Sequence, residues 1–268
     1  MVKSMLSANH AMAGLEGRPR NLFPVWLSLI LIVLWRITVD LDIDFSTLAY
    51  GVSDMGEYFS RYRTPDFSRI STYLELILQT LATAFWGTVF ALIVSVVLAP
   101  LAARNLSPHP LIYRLSREML NFMRAMPDLL LALLFVAAIG LGPLAGIIAL
   151  SIHTAGFLGK FFAESLERVD GGVYEALEAV GAGFLQTVMF AGWPSINREF
   201  VGYTLYIMDR NVRAASVLGL VGAGGIGLEL NEALALFRYD RASAIMILII
   251  TVIIVIDHLS SYLRKKLN

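Results

Sequence analysis

Apolar residues dominate six stretches of this chain, and polar or charged intervals separate them. The stretches fall at about 23–40, 73–102, 118–139, 144–163, 197–219 and 241–263. A helix that crosses a bilayer needs about 20 predominantly apolar residues, so each stretch is read as one span. The runs "LATAFWGTVFALIVSVVLAPLA" and "ASAIMILIITVIIVIDHL" are the most continuous, whereas the fourth and fifth stretches carry charges. The pattern predicts an all-α integral membrane protein of about six transmembrane helices. The first run follows a polar start and is followed by Trp35 and Arg36 rather than a small-residue cleavage site, so it is read as an uncleaved span and not a signal peptide.

Composition agrees with the pattern. Of the 268 residues, 57% are hydrophobic and only 16% are charged, and the mean hydropathy is +0.69. A soluble domain carries about 25% charged residues. The formal net charge is zero, which removes the basic face expected of a nucleic-acid binder. There is no cysteine, which excludes disulfides, thiolate metal sites and cysteine nucleophiles.

Orientation follows from where Lys and Arg cluster beside the spans. Lys3, Arg18 and Arg20 precede the first span, Arg104, Arg114 and Arg117 follow the second, and Arg264, Lys265 and Lys266 follow the sixth. An even number of spans places all three groups, and hence both termini, on the cytoplasmic side. The segment 40–70 then faces outward; it is rich in acids (Asp40, Asp42, Asp44, Asp54, Glu57 and Asp66), with Arg61, Arg63 and Arg69 against the rule. Its stretch "FSTLAYGVSDMGEYFSRY" reads either as a helix lying on the membrane surface or as a loop. The chain therefore divides into an N-terminal cytoplasmic segment (1–22), a first span with its outer segment (23–72), a core (73–264) and a short tail (265–268).

Between the fourth and fifth spans lies "YEALEAVGAGFLQTVMFAGWPSI", residues 174–196. "YEALEAV" consists of helix formers, Gly181 and Gly183 end or bend that helix, and "FLQTVMFAGW" starts a second one, with Pro194 marking a restart. Two short helices at a fixed angle are expected on the cytoplasmic face. The spacing here resembles the importer permeases of the ATP-binding cassette class. Those carry E-A-A, three residues, G, nine residues, then I-x-L-P. This chain has Glu175-Ala176-Leu177, three residues, Gly181, Ala182 beyond it, and then Ala191-Gly192-Trp193-Pro194 at the matching distance. Glu175, Ala176, Gly181 and Pro194 match in identity, whereas Leu177, Ala191 and Trp193 depart from the pattern.

The stretches "RAMPDLLLALLFVAAIGLGPLAGIIAL", "IHTAGFLGKFFAESLE" and "RNVRAASVLGLVGAGGIG" are similar to the phosphonate-type permeases of that class, which resemble methionine-importer permeases around the glycine-rich stretch. The likeness covers most of 73–264. It implies a type I importer permease in the bacterial cytoplasmic (inner) membrane that moves phosphonate, phosphite or a related phosphorus oxyanion. It implies a homodimer with a second copy, two ATPase subunits docked on 174–196, and an extracytoplasmic substrate-binding protein. No cofactor is expected on this chain; ATP and Mg are expected on the partner. The chain carries no G-x-x-x-x-G-K-[ST] stretch for cradling nucleotide phosphates. An importer for another small solute such as methionine, an ion-coupled secondary transporter and an integral membrane enzyme are the alternatives.

Ionisable residues inside spans are costly and mark function by default. Arg124 and Asp128 lie four apart around Pro127, as a helix-steadying ion pair or a gate. Lys160 and Glu164 are also four apart and are expected to pair. His153 lies deep in the fourth span, with a pathway role and an interhelical structural role both open. No histidine spacing suggests a metal site. In "YIMDRNVRAASVLG", Asp209 and Arg213 share a helix face, while Arg210 lies about 100° around the helix with no evident partner. An arginine at this depth suits a tetrahedral oxyanion through bidentate hydrogen bonding, so Arg210, with Arg213, is a candidate for the translocation pathway; a structural charge cluster is the alternative.

Finally, Gly222, Gly224 and Gly227 satisfy G-x-G-x-x-G. A dinucleotide fingerprint needs a βαβ unit around it, and the flanking spans forbid one. Together with Gly225, these glycines are expected either to let helices approach closely or to line the pathway as non-helical backbone, with exposed N–H groups able to meet an anion.

Overall fold

The computed structural model describes residues 22–41 and 45–267, and every regular element among them is helical. The N-terminal charges Lys3, Arg18 and Arg20, and Asp42 and Asp44, lie outside the described residues. The chain falls into two units, one up to Phe59 and one from Ser60 onward.

The first unit holds α1 (Phe23–Asp40) and α2 (Phe45–Ser60). Pro24 sits in the opening turn of α1, where its missing N–H costs nothing. α1 is apolar around its circumference with its side chains exposed, as suits a helix immersed in lipid. α2 shows that the stretch read as a surface helix or a loop is helical.

The second unit begins with α3 (Ile70–Ala102), α4 (Pro110–Ala125), α5 (Asp128–Ile139) and α6 (Pro143–Arg168). Two shorter helices follow, α7 (Gly171–Ala179) and α8 (Phe184–Thr187), the latter running through a π-helical turn, Val188–Gly192, into Trp193–Ser195. The chain closes with α9 (Asn197–Leu218), α10 (Ile226–Ala235) and α11 (Tyr239–Leu267). Among the described residues, α1, α3, α6 and α11 are each long and apolar enough to cross a membrane, and the number of spans is six where each of the bent pairs α4–α5 and α9–α10 counts as one.

Small residues are what bring α3 and α6 together. Thr80, Ala84, Gly87, Thr88, Ala91 and Ser95 are buried along one stripe of α3. At Gly87 a Cβ would lie 2.9 Å from the Cβ of Leu150 on α6, so the glycine sets the helix separation. The Ser95 hydroxyl donates to the Ala155 carbonyl at 3.1 Å. A buried chain of polar groups then ties in α9: Thr154 donates to Asn211 Oδ1 at 3.0 Å, and Asn211 Nδ2 donates to Thr88 Oγ1 at 2.9 Å. Each such bond between membrane helices contributes about 0.6 kcal/mol. All partners are satisfied, so the network fixes the register of three helices.

The third expected span is not one helix. α4 and α5 meet at 84° across Met126–Pro127. Pro127 lacks the N–H that would continue α4, and Met126, as the residue before a proline, is extended (φ −78°, ψ 121°). The expected pair of Arg124 and Asp128 therefore does not form: the four-residue spacing brings side chains together only on an unbroken helix, and no ion pair joins them among the described residues. Lys160 and Glu164 do pair, at 3.8 Å.

Candidate functional site

The break at Met126 leaves a backbone carbonyl free at the level of His153, and His153 Nδ1 donates to it at 2.8 Å. The other ring nitrogen, Nε2, accepts from Arg210 Nη2 at 3.0 Å. A guanidinium only donates, so this arrangement fixes a neutral histidine with its proton on Nδ1. The Arg210 guanidinium also lies over the Phe157 ring, 4.8 Å from its centroid. Two residues that the sequence singled out separately, His153 and Arg210, thus form one constellation on α6 and α9, and neither partner of Arg210 is a carboxylate. No ion pair involves Arg210 among the described residues.

Asp209 and Arg213 pair as their spacing predicts, at 2.7 Å. Asp209 is buried, at 3% exposure, while the Arg213 side chain is 44% exposed. Only Oδ2 of Asp209 is engaged; Oδ1 is buried without a partner.

At one end of the second unit, residues 171–196 form the predicted pair of short helices. Asp170 caps α7 by accepting from the Gly172 N–H at 2.9 Å. Gly181, at φ 81°, makes the turn between them, a conformation that side chains with a Cβ rarely adopt. Gly183 N–H is held by Gln186 Oε1 at 2.8 Å. The segment stands on a rigid base. Tyr174 is buried and its hydroxyl donates to the Leu166 carbonyl at 3.0 Å; burial pushes its pKa up to about 12. Trp193 sets its edge against Phe162 and Phe200, with centroids 5.7 and 5.5 Å away. Leu177, Val188 and Ala191 join the same apolar cluster. The three departures from the family pattern, Leu177, Ala191 and Trp193, are therefore all positions turned toward the chain's own core.

Glu175, Ala176, Gly181 and Pro194 are exposed, and Ala182 is half-buried. Beside them stand Val180, Leu185, Met189 and Phe190, all exposed and apolar, with Phe190 at 74%. Sequence reasoning passed over these four. Their signal was present in the four-residue spacing of Leu185 and Met189 within a segment too short to span, which puts both on one helix face.

At the other end, the glycine-rich stretch is a packed joint. Gly219 and Gly227 face each other so closely that a Cβ on Gly227 would strike the Ser216 carbonyl and the Gly219 backbone. Gly222 accepts from the Gly142 N–H at 2.9 Å, and Gly224 lies against Pro143. The Gly225 N–H donates to Gln79 Oε1 at 3.2 Å and the Ile226 N–H to Thr80 Oγ1 at 3.0 Å. Gly222, Gly224 and Gly225 are buried, and the two N–H groups at the start of α10 are already occupied. The stretch ties α9 to α3 and to the start of α6. We expect Gly227→Ala to remove most of the monodisperse protein recovered from membranes, because overpacking of about 3 kcal/mol falls on backbone that cannot move aside. Size-exclusion profiles at matched expression check this.

A family model described as the binding-protein-dependent transport system inner membrane component matches residues 91–268. The chain belongs to this family. It is 37% identical over 236 residues to the phosphite transport system permease protein PtxC of Stutzerimonas stutzeri, covering 88% of this chain and 85% of that protein. It is 40% identical over 210 residues to the phosphate-import permease protein PhnE of Mycolicibacterium smegmatis, covering 78% of this chain and 40% of that protein. Among solved structures, the MetNI methionine ABC transporter in inward-facing conformations matches with a TM-score of 0.64 at 19% identity, over 76% of this chain and 99% of that one. At that identity the likeness shows the fold, that of a type I ABC importer permease. This permease subunit is thus an inner-membrane transport component built on α3–α11.

Proposed function

We propose that this permease carries phosphite, a phosphonate or a related phosphorus oxyanion across the inner membrane. The identity to the phosphite permease across 85% of that protein carries the reading. Arg210 supplies chemistry that suits it: a guanidinium with no carboxylate partner among the described residues, held through one Nη2 N–H by a neutral histidine and by an aromatic ring, attracts a tetrahedral oxyanion and leaves its remaining N–H groups to be shared with it. The neighbouring Arg213 is half exposed and paired with Asp209, so the unpaired charge is that of Arg210.

In this reading two copies of the chain enclose the pathway, and a binding protein delivers substrate at the glycine-joint end. Two ATPase subunits, which bind ATP and Mg, grip residues 171–196 at the other end, and the termini lie on that cytoplasmic side. The exposed apolar group Val180, Leu185, Met189 and Phe190 suits burial in a cleft of the ATPase. Because Tyr174 and Trp193 anchor the segment into the inner core, a push on it moves α6 and α9 with it. Alternating access follows when closure of the ATPases shifts that equilibrium. The test is purification of the tagged chain from its native membrane: an ATPase subunit retained at one per permease supports the reading, and a chain recovered alone contradicts it.

A further inference from the structure

The loop between α3 and α4 forms a cavity of about 420 Å³, lined by Arg104, Ser107, His109, Pro110, Tyr113 and Arg114. Arg104, Arg114, His109 and Tyr113 each have a donor to offer, Ser107 gives its hydroxyl proton to the His109 carbonyl at 3.4 Å, and no carboxylate is in the lining. His109 Nδ1 accepts from the Leu111 N–H at 3.1 Å, which leaves Nε2 as the donor. Glu167, which reaches this loop, is already engaged: it accepts from the Arg104 N–H at 2.8 Å and from Arg117 Nη1 at 2.8 Å. Arg117 in turn braces the Tyr113 ring, 5.6 Å from its centroid. Arg104 and Arg114 have no ion-pair partner among the described residues. Two guanidiniums without an ion-pair partner among the described residues, an imidazole N–H and a phenol around one space suit a phosphate group.

Helix α4 starts at this cavity and is strongly two-faced. Ser116, Leu120 and Met123 turn inward, with Leu120 against Gly159 of α6. Leu111, Leu115, Met119 and Phe122 form a second apolar arc, and all four are exposed. A basic pocket for free anion or for an acidic protein surface leaves that arc unexplained. A phospholipid explains both, with its phosphate in the pocket and its chains along the arc.

We infer that the pocket of Arg104, His109, Tyr113 and Arg114 binds the phosphate headgroup of an anionic phospholipid in the cytoplasmic leaflet, whose acyl chains lie on the exposed arc of α4. The site steadies the α3–α4 turn against Glu167 at the foot of the helix pair that carries residues 171–196. The inference rests on the chain's place in the membrane and not on its substrate, so a failed transport assay and a failed lipid assay are read separately.

Native mass spectrometry of the detergent-purified full chain tests it, with dioleoyl phosphatidylglycerol, dioleoyl phosphatidylcholine or inorganic phosphate added. Retention of phosphatidylglycerol over phosphatidylcholine is expected. An arginine beside an anionic surface contributes about fivefold, so the double variant Arg104→Gln with Arg114→Gln binds it about twenty-five-fold more weakly. Arg198→Gln, an exposed arginine elsewhere, leaves it unchanged. Both pocket arginines are exposed, so the double variant keeps its fold, which a thermal melt verifies. Equal retention of the two lipids, or unchanged retention by the double variant, overturns the inference. Displacement of phosphatidylglycerol by millimolar inorganic phosphate also overturns it, in favour of a site for the free anion.

Discussion

Arg210→Ala lowers uptake of the transported oxyanion by about tenfold to a hundredfold at unchanged abundance in the membrane. The figure follows from losing a hydrogen bond to a charged ligand, about 1.5–3 kcal/mol. Arg210 makes no ion pair among the described residues that its loss would leave broken; the group it abandons is His153 Nε2, whose ring stays fixed through Nδ1 to the Met126 carbonyl. The protein therefore folds without it, and the defect is one of transport. Arg210→Lys keeps the charge but replaces the planar fork with a point charge, so uptake recovers only in part. His153→Ala separates the two roles of the constellation: it leaves the charge and removes its support, and an intermediate loss is expected. Uptake measured at matched protein level checks the series, and full uptake by both Arg210 variants removes the residue from the pathway.

Phe190→Asp combined with Leu185→Asp abolishes energy coupling without unfolding the chain. The two side chains are 74% and 68% exposed, so the substitutions disturb no internal packing. Buried in an ATPase cleft, a pair of apolar anchors contributes 2 kcal/mol or more each at the centre of an interface, and a carboxylate there adds a desolvation cost. The double variant is expected to bind the ATPase about a thousandfold more weakly, so that little or none is recovered with the tagged chain and uptake falls to background. Copurification and transport at wild-type levels contradict this placement of the partner.

Much of the membrane architecture is legible in the sequence because bilayer thickness imposes one length on every span. α1 and α3 lie where the apolar runs place them, and the E-A-A-like spacing locates the short helices. The kink at Met126–Pro127 is visible in the sequence as a proline, whereas the four-residue spacing of Arg124 and Asp128 suggests a pair only if the helix continues through it. A proline announces a break and not its angle, which here is 84°. The partner of Arg210 was invisible for another reason. His153 lies 57 positions away, on another helix, and no local rule joins them. The four glycines at 222–227 gave two readings because small residues serve close approach and cavity lining equally well. Only the neighbours decide, and Pro143, Gln79 and Thr80 occupy the space around Gly224 and Gly225.

The most direct measurement is uptake into sealed proteoliposomes holding the purified permease and its ATPase, with binding protein and a phosphorus oxyanion outside and ATP inside. Accumulation of phosphite or a phosphonate that needs both ATP and the binding protein is the predicted result. Accumulation driven by an ion gradient in the absence of ATP, or of an amino acid in place of the oxyanion, contradicts the account.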